Sequence, residues 1–547
     1  MREKLLIGSF WLSFFNIVCK ILGFIYLIPW LKFMGTIHNQ QTAQAIYNVA
    51  YLPYALFLSL GTAGFPSGIA KKIAELNING NKNQIKELFK SGLIVMEIIG
   101  ILSALLMFIF APTLSKISPI VDHTAGITAI RSLCFSLLII PILSALRGYF
   151  QGLNYSFPFG VSQLLEQLVR VVCILVGTYL IRVQFNGSIL SAVILSTFAS
   201  SIGGIVAFLY LLFIGKKRNL FQLKDFYFLP LKSISHMKGL AIDIIKESLP
   251  FVYVGSAISI LQLIGQFSLK VLYSFFFPQS SLSELQTLYT LASANPNKLA
   301  PVLLGIIGSI TISALPLIST VKSKPELLQG TSQILRLAFT FLLPTSIGMI
   351  ILCNPLNTLF FGFNLDGSRY LSATIISTSL LGIFTIVLSI LQALSFHKKA
   401  MQITSITLLL KLIIQIPCIY LFKGYGLSIA TIICTMFTTI IAYRFLSRKF
   451  DINPIKYNRK YYSRLVYSTI VMTILSLLML KIISSVYKFK STLQLFFLIS
   501  GMATVFLTNF IRCRTSFRML FRLSLTMSLL GCDDLRQELT VKVRLPR

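Results

Sequence analysis

Apolar runs of helix length recur from one end of this chain to the other, separated by short polar or basic joints. A membrane-crossing helix needs about 20 mostly apolar residues at 1.5 Å of rise each. Fourteen such runs are legible, near 5–33, 43–70, 88–115, 125–147, 157–182, 187–214, 243–275, 296–320, 330–353, 370–396, 401–422, 425–446, 462–486 and 491–511. They are solid runs, not the roughly ten-residue alternations of an outer-membrane barrel strand. The pattern predicts an all-α polytopic membrane protein. Gly61, Gly64 and Pro66 interrupt the second run and Pro158 opens the fifth. Bilayer helices tolerate such residues where neighbours or water satisfy the freed backbone groups.

The longest polar joint follows the sixth run and divides the chain. It predicts an N-lobe of six helices over 1–215, an interlobe loop over 216–240 and a C-lobe of six helices over 241–447. A helix pair over 448–512 and a basic tail over 513–547 complete the chain. The lobes echo each other weakly. Phe150-Gln151-Gly152-Leu153 resembles Leu391-Gln392-Ala393-Leu394, and the same offset of 241 carries Arg170 onto Lys411. Many secondary transporters are built from repeated halves, with substrate bound between them near the midplane.

Lys and Arg alternate by joint. One set of joints carries Lys71, Lys72, Lys82, Lys86 and Lys90, then Lys216, Lys217 and Arg218, then Lys398 and Lys399, then Arg444, Arg448 and Lys449. The opposite joints are nearly uncharged, with Lys116, Lys423 and Lys488 as exceptions. By the positive-inside rule both termini are cytoplasmic, as an even number of spans requires.

Composition narrows the class further. The chain is 55% hydrophobic and 12% charged, against roughly a quarter charged for soluble domains. Its net charge of +33, from 49 Lys+Arg and 16 Asp+Glu, would point to nucleic acid in a soluble protein. Here it reads as basic joints facing anionic membrane lipid, with no nucleic-acid partner. The eight cysteines lack CxxC or metal-ligand spacing and read as small apolar fillers. The first run has no small-residue cleavage site, so it reads as a span and not a signal peptide. His38, His123, His236 and His397 are scattered. No P-loop, HExxH or outward pair of acids is present, which argues for a transporter and against an enzyme. No cofactor is expected; coupling to the membrane potential or to a monovalent cation is.

Ionisable residues at membrane depth are costly, so each is a candidate for function. Lys20 lies mid-span, too far from either end to snorkel, and should line a polar interior that receives an anion; pairing with an acid is the competing reading. Glu166 and Arg170 stand i,i+4 with the acid first, the order that favours a pair on one helix face. Arg147 closes a helix on the cytoplasmic side, where reaching phosphates at the interface is the plain alternative to substrate contact. Lys298 adjoins a helix start in Asn295-Pro296-Asn297-Lys298, and Lys411 sits inside the eleventh run. Gln151, Glu166, Arg170 and Glu97 are expected to furnish the polar interior. Acids at depth are scarce, mainly Glu97 and Glu166 in the first lobe, so the electrostatics favour an anionic substrate such as a pyrophosphate headgroup.

Three stretches carry a resemblance: Gly8-Ser9 with Lys20 to Tyr26, Gly61 to Pro66 with Ile69-Ala70-Lys71-Lys72, and Leu146 to Arg170. They resemble the polysaccharide-transporter branch of the MOP flippase superfamily, and within it the Gram-positive MurJ-type lipid II flippases and SpoVB-like proteins. The likeness covers about 1–510 and is weaker in the second lobe, where Ala314-Leu315-Pro316 and Leu391 to Leu394 carry it. It implies fourteen helices in two lobes around a cation-lined cavity. It also implies movement of undecaprenyl-pyrophosphate-linked glycan, lipid II or a polysaccharide repeat unit, from the inner to the outer leaflet by alternating access. Lys20 stands where the family has an arginine, a point charge in place of a bidentate grip. Lys20, Lys298, Lys411 and Arg147 are then the expected substrate contacts, and cell-envelope synthesis proteins the expected partners. The competing functions are a MATE-type cation or multidrug antiporter, needing a buried carboxylate such as Glu97 or Glu166, and a membrane glycosyltransferase or ligase.

Overall fold

The computed structural model describes residues 2–62, 64–78, 82–153, 155–220, 234–305, 307–308, 318 and 323–486. The expected run at 491–511, the tail from 513, most of the interlobe loop and the end of the eighth run lie outside the described residues. The described elements are all helical. They are α1 (Arg2–Ile25), α2 (Leu27–Met34), α3 (Ile37–Thr62), α4 (Phe65–Ile78), α5 (Lys82–Lys116), α6 (His123–Gly152), α7 (Ser156–Tyr179) and α8 (Ile189–Lys217). Then come α9 (Ile234–Phe276), α10 (Leu282–Tyr289), α11 (Pro296–Leu299), α12 (Lys324–Ile351), α13 (Cys353–Phe361) and α14 (Leu365–Ala393). The last are α15 (His397–Phe422), α16 (Gly426–Phe450), α17 (Pro454–Tyr457) and α18 (Arg459–Val486).

Ten stretches of described helix are long and apolar enough to cross a membrane, one of them, His397–Phe450, holding both α15 and α16. The first expected run is two helices, α1 and α2, parted at Tyr26. The second is broken at Gly64 into α3 and α4. Gly64 has φ +85°, and a Cβ there would lie 2.6 Å from Cβ of Phe251 on α9. Both the backbone angle and the close approach of α9 require glycine.

The motif Leu146 to Leu153 owes its glycines to packing. Gly148 and Gly152 stand one turn apart on α6, and added Cβ atoms would come within 2.7 Å of the Pro66 carbonyl oxygen and 2.8 Å of that of Ala70. Two bare backbone surfaces thus let α6 lie directly on α4, the small-residue contact usual between membrane helices. Hydroxyl pairs join α6 to α8, Ser132 to Thr197 at 2.6 Å and Ser136 to Ser201 at 3.0 Å.

Within the N-terminal half α6 packs on α3, α5 and α8, and α7 packs on α1 and α8. In the C-terminal half α16 packs on α14 and α15, and α12 on α14 and α18. The long α9 touches both halves, meeting α3, α4 and α5 on one side and α15 on the other. Helix bounds recur between the halves. Adding 241 to those of α6 gives 364–393 beside Leu365–Ala393 for α14, and adding it to those of α7 gives 397–420 beside His397–Phe422 for α15.

Candidate functional site

A cavity of about 560 Å³ opens between α1, α3, α7, α9 and the segment around α11. Helical spacing decides which side chains reach it. On α7, Gln163, Glu166, Gln167 and Arg170 recur at i, i+3, i+4 and i+7 and share one face. On α1, Asn16, Cys19, Lys20 and Gly23 do the same. Tyr47, Asn48 and Tyr51 enter from α3, Gln262 from α9, and Asn297 and Lys298 from the α11 segment.

Among the described residues four cations and one carboxylate line this space: Lys20, Arg147, Arg170 and Lys298 against Glu166. The carboxylate is already committed. Arg147 donates through Nη2 to Glu166 Oε2 at 2.8 Å and through Nε to Ser162 Oγ at 2.9 Å. Arg147 is only 8% exposed, so it does not reach the interface, contrary to the plainer expectation for a basic residue at a helix end. The expected Glu166–Arg170 pair on one helix face is also corrected. Glu166 neutralises a buried guanidinium on α6, and Arg170 turns the other way, toward Tyr47 OH at 3.5 Å.

Lys298 sets its ammonium 3.5 Å from the ring centroid of Tyr47 and 5.5 Å from that of Tyr51. Those rings stack at 5.9 Å, so an aromatic face from the N-terminal half carries a cation from the C-terminal half. Lys20 is exposed to the cavity, and its side-chain stem rests on Gly305, whose added Cβ would lie 3.1 Å from Lys20 Cγ.

Three expected site residues stand elsewhere. Lys411 is 1% exposed and does not line the cavity; its Nζ is held by the Leu427 carbonyl and the Thr431 hydroxyl. Its place among the substrate contacts is corrected, because α16 covers it. Glu97 lies on the outer face of α5 beside the exposed Ile98 and Ile101, and is not part of the polar interior lining this cavity. Gln151 is half-buried at the end of α6, one turn past Arg147, and does not line it either. Tyr47, Asn48 and Tyr51 went unread in the sequence. Their signal was a polar stripe, Gln44, Tyr47, Asn48 and Tyr51, at helical spacing inside an otherwise apolar run.

A hydrogen-bond chain leads from the cavity wall to the joint after α5. Asn48 Nδ2 donates to Tyr289 OH at 2.7 Å, Tyr289 OH to Gln266 Oε1 at 2.8 Å, and Gln266 Nε2 to Ser118 Oγ at 2.9 Å. Beside it Val121 N–H donates to Gln286 Oε1 at 2.7 Å and Lys270 Nζ to the Lys116 carbonyl at 2.6 Å. These bonds join the two halves at that end, where Tyr289 and Gln266 are fully buried.

Residues 5–320 match the family model described as polysaccharide biosynthesis protein. The chain belongs to that family. It is similar to the lipid II flippase MurJ of Bacillus subtilis (strain 168), 28% identical over 447 residues, 79% of this chain and 80% of that protein. It is 26% identical over 254 residues to the stage V sporulation protein B of the same organism, 46% of each chain. A solved structure of the lipid II flippase MurJ in an inward closed conformation superposes with a TM-score of 0.64 at 15% identity, covering 93% of this chain and 99% of that one. At that identity the likeness speaks for the fold alone, an all-helical membrane bundle. Among the described residues no group of three or more His, Cys, Asp or Glu could hold a metal.

Proposed function

We propose that this chain is a flippase that carries an undecaprenyl-pyrophosphate-linked glycan, lipid II or a polysaccharide repeat unit, across the bacterial plasma membrane by alternating access. The observation that carries the reading is the charge of the cavity: among the described residues four cations line it, and the one carboxylate is spent on Arg147. Unpaired cations in a space screened from bulk water favour an anion. A cation exporter would need the reverse, a free carboxylate, and Glu166 is not free.

Lys20 and Lys298 are the proposed pyrophosphate contacts, with Arg170 behind them and Arg147 holding Glu166 and α7 in place. Arg170 and Lys298 face each other from opposite halves through Tyr47. Their like charges repel, and a pyrophosphate held by Lys20 and Lys298 would offset that repulsion. Substrate would therefore bind the closed arrangement better than the open one, the differential affinity that a transport cycle requires. Lys20 as a point charge binds an anion without fixing its orientation, which suits a group that must later be released. In this reading both termini lie in the cytoplasm, where the basic joints would meet anionic lipid and envelope-synthesis proteins. No covalent step is required of the chain.

The deciding experiment has two arms. Depletion in the native cell should cause one lipid-linked precursor to accumulate in the inner leaflet, and its glycan identifies the cargo. Purified protein in vesicles should then move that precursor, and Lys20→Ala should slow it. Full flipping by Lys20→Ala would remove Lys20 from the site. Failure of any polyprenyl-pyrophosphate glycan to move would sink the proposed function.

A further inference from the structure

Lys411 is the charged member of the largest fully buried side chains, 1% exposed in the middle of α15. None of the ion pairs among the described residues includes it. Its ammonium is held instead by neutral oxygens of α16, the Leu427 carbonyl at 2.7 Å and Thr431 Oγ1 at 2.8 Å. Thr431 is oriented for this: its own hydroxyl proton goes to the Leu427 carbonyl at 2.8 Å, which turns its lone pairs toward Nζ. The titratable groups that act on it electrostatically are the thiols of Cys434 and Cys418. One turn along α15, Gln415 is 0% exposed, and neither its amide oxygen nor its nitrogen has a partner.

A buried charge is costly unless its surroundings are built for it. Here they are built of neutral oxygens without a carboxylate, a donor set that suits a singly charged ion; divalent ions call for carboxylates. We infer that α15 and α16 enclose a monovalent-cation cage, formed by the Leu427 carbonyl and the Thr431 hydroxyl, and that Lys411 fills it as a tethered ammonium in place of a free ion. The charge of this site is then part of the chain. It moves with the helices and does not exchange with Na⁺ or K⁺. The inference rests on the geometry inside the C-terminal half and is independent of the cargo.

The test is the thermal unfolding midpoint of the purified full-length protein in ammonium, potassium, sodium or choline chloride at one ionic strength, so that general screening is constant. The wild type should show one Tm in all four salts. Lys411→Ala should unfold several degrees lower in choline and recover part of the loss, saturably, in ammonium or potassium as the ion occupies the vacated cage. Lys411→Met, which keeps the stem and blocks the cage, should stay low in every salt. A wild-type Tm for Lys411→Met would overturn the inference, since the ammonium would then be dispensable. So would a folded Lys411→Ala whose Tm is the same in choline, ammonium and potassium. If Lys411→Ala does not fold, Thr431→Val and Thr431→Ser decide: the inference expects a lower Tm for Val and a near-native one for Ser, and native values for both would overturn it. Because the readout is stability, it stands or falls apart from any flipping assay.

Discussion

The ammonium of Lys298 sits 3.5 Å from the ring centroid of Tyr47, while the Tyr47 hydroxyl accepts from Arg170. One aromatic side chain thus stands between a cation from each half of the molecule. A desolvated cation–π contact is worth about 2 kcal/mol, or roughly 30-fold in an equilibrium. Tyr47→Phe keeps the ring and should retain most of the flipping rate, whereas Tyr47→Ala should lower it by about tenfold or more. Equal rates for the two variants in vesicles would show that the ring does not position Lys298.

Breaking the Arg147–Glu166 pair should act on stability first. The two side chains are 9% and 19% exposed, and Arg147→Met leaves Glu166 facing the cavity alone. Removing one partner of a buried pair costs about 3–5 kcal/mol, and the partial exposure of Glu166 places this case at the lower end. Adding Glu166→Leu to Arg147→Met should recover much of the loss. Denaturation of both variants checks this, and a double variant no more stable than the single would contradict it.

Lys20→Arg should preserve transport, because a guanidinium supplies the same charge with a bidentate grip. Lys20→Ala should reduce it by about tenfold to a hundredfold, the loss of one charge-assisted contact of about 1.5–3 kcal/mol. Gly305→Val tests the same place from the opposite wall. Its side chain would press on the Lys20 stem, 3.1 Å from the added Cβ, and should lower transport with Lys20 intact. Flipping assays in vesicles of matched protein content read all three.

Asp122, just ahead of α6, gives a pH-dependent prediction. The Thr124 hydroxyl and the Ala125 N–H donate to its carboxylate and hold it below the usual carboxylate range. A folded-state value below the unfolded one means stability that is present above the unfolded value and is lost as pH falls through the folded one. Asp122→Ala should therefore lower stability by about 1 kcal/mol at neutral pH, the typical worth of a helix N-cap. The gap between variant and wild type should close from about pH 4 downward, where a free aspartate takes up its proton. A gap unchanged between pH 7 and pH 3 would contradict it.

Gly64→Ala should destabilise more than an ordinary helix substitution. A left-handed φ costs an L-residue about 1–2 kcal/mol, and the new Cβ would lie 2.6 Å from Phe251 Cβ. Because Phe251 belongs to α9, the change should loosen the contact between α4 and α9, visible as faster hydrogen exchange in both.

The sequence by itself determined that this chain is a helical membrane protein with basic residues and few acids in its apolar runs, because run length and charge are local quantities. It singled out Lys20, Arg147, Arg170 and Lys298 as candidates, and all four line one cavity. The tertiary structure decided what each charge touches. Glu166 has Arg170 one turn away on its own helix, yet pairs with Arg147, 19 positions distant in sequence and one helix over. Lys411 reads in the sequence like Lys20, a lone cation in an apolar run, and only the packing of α16 seals it away from the cavity. Helical spacing fixes which side chains share a face. Which face meets water, and which cation finds a partner there, depends on contacts between helices that are far apart in the chain.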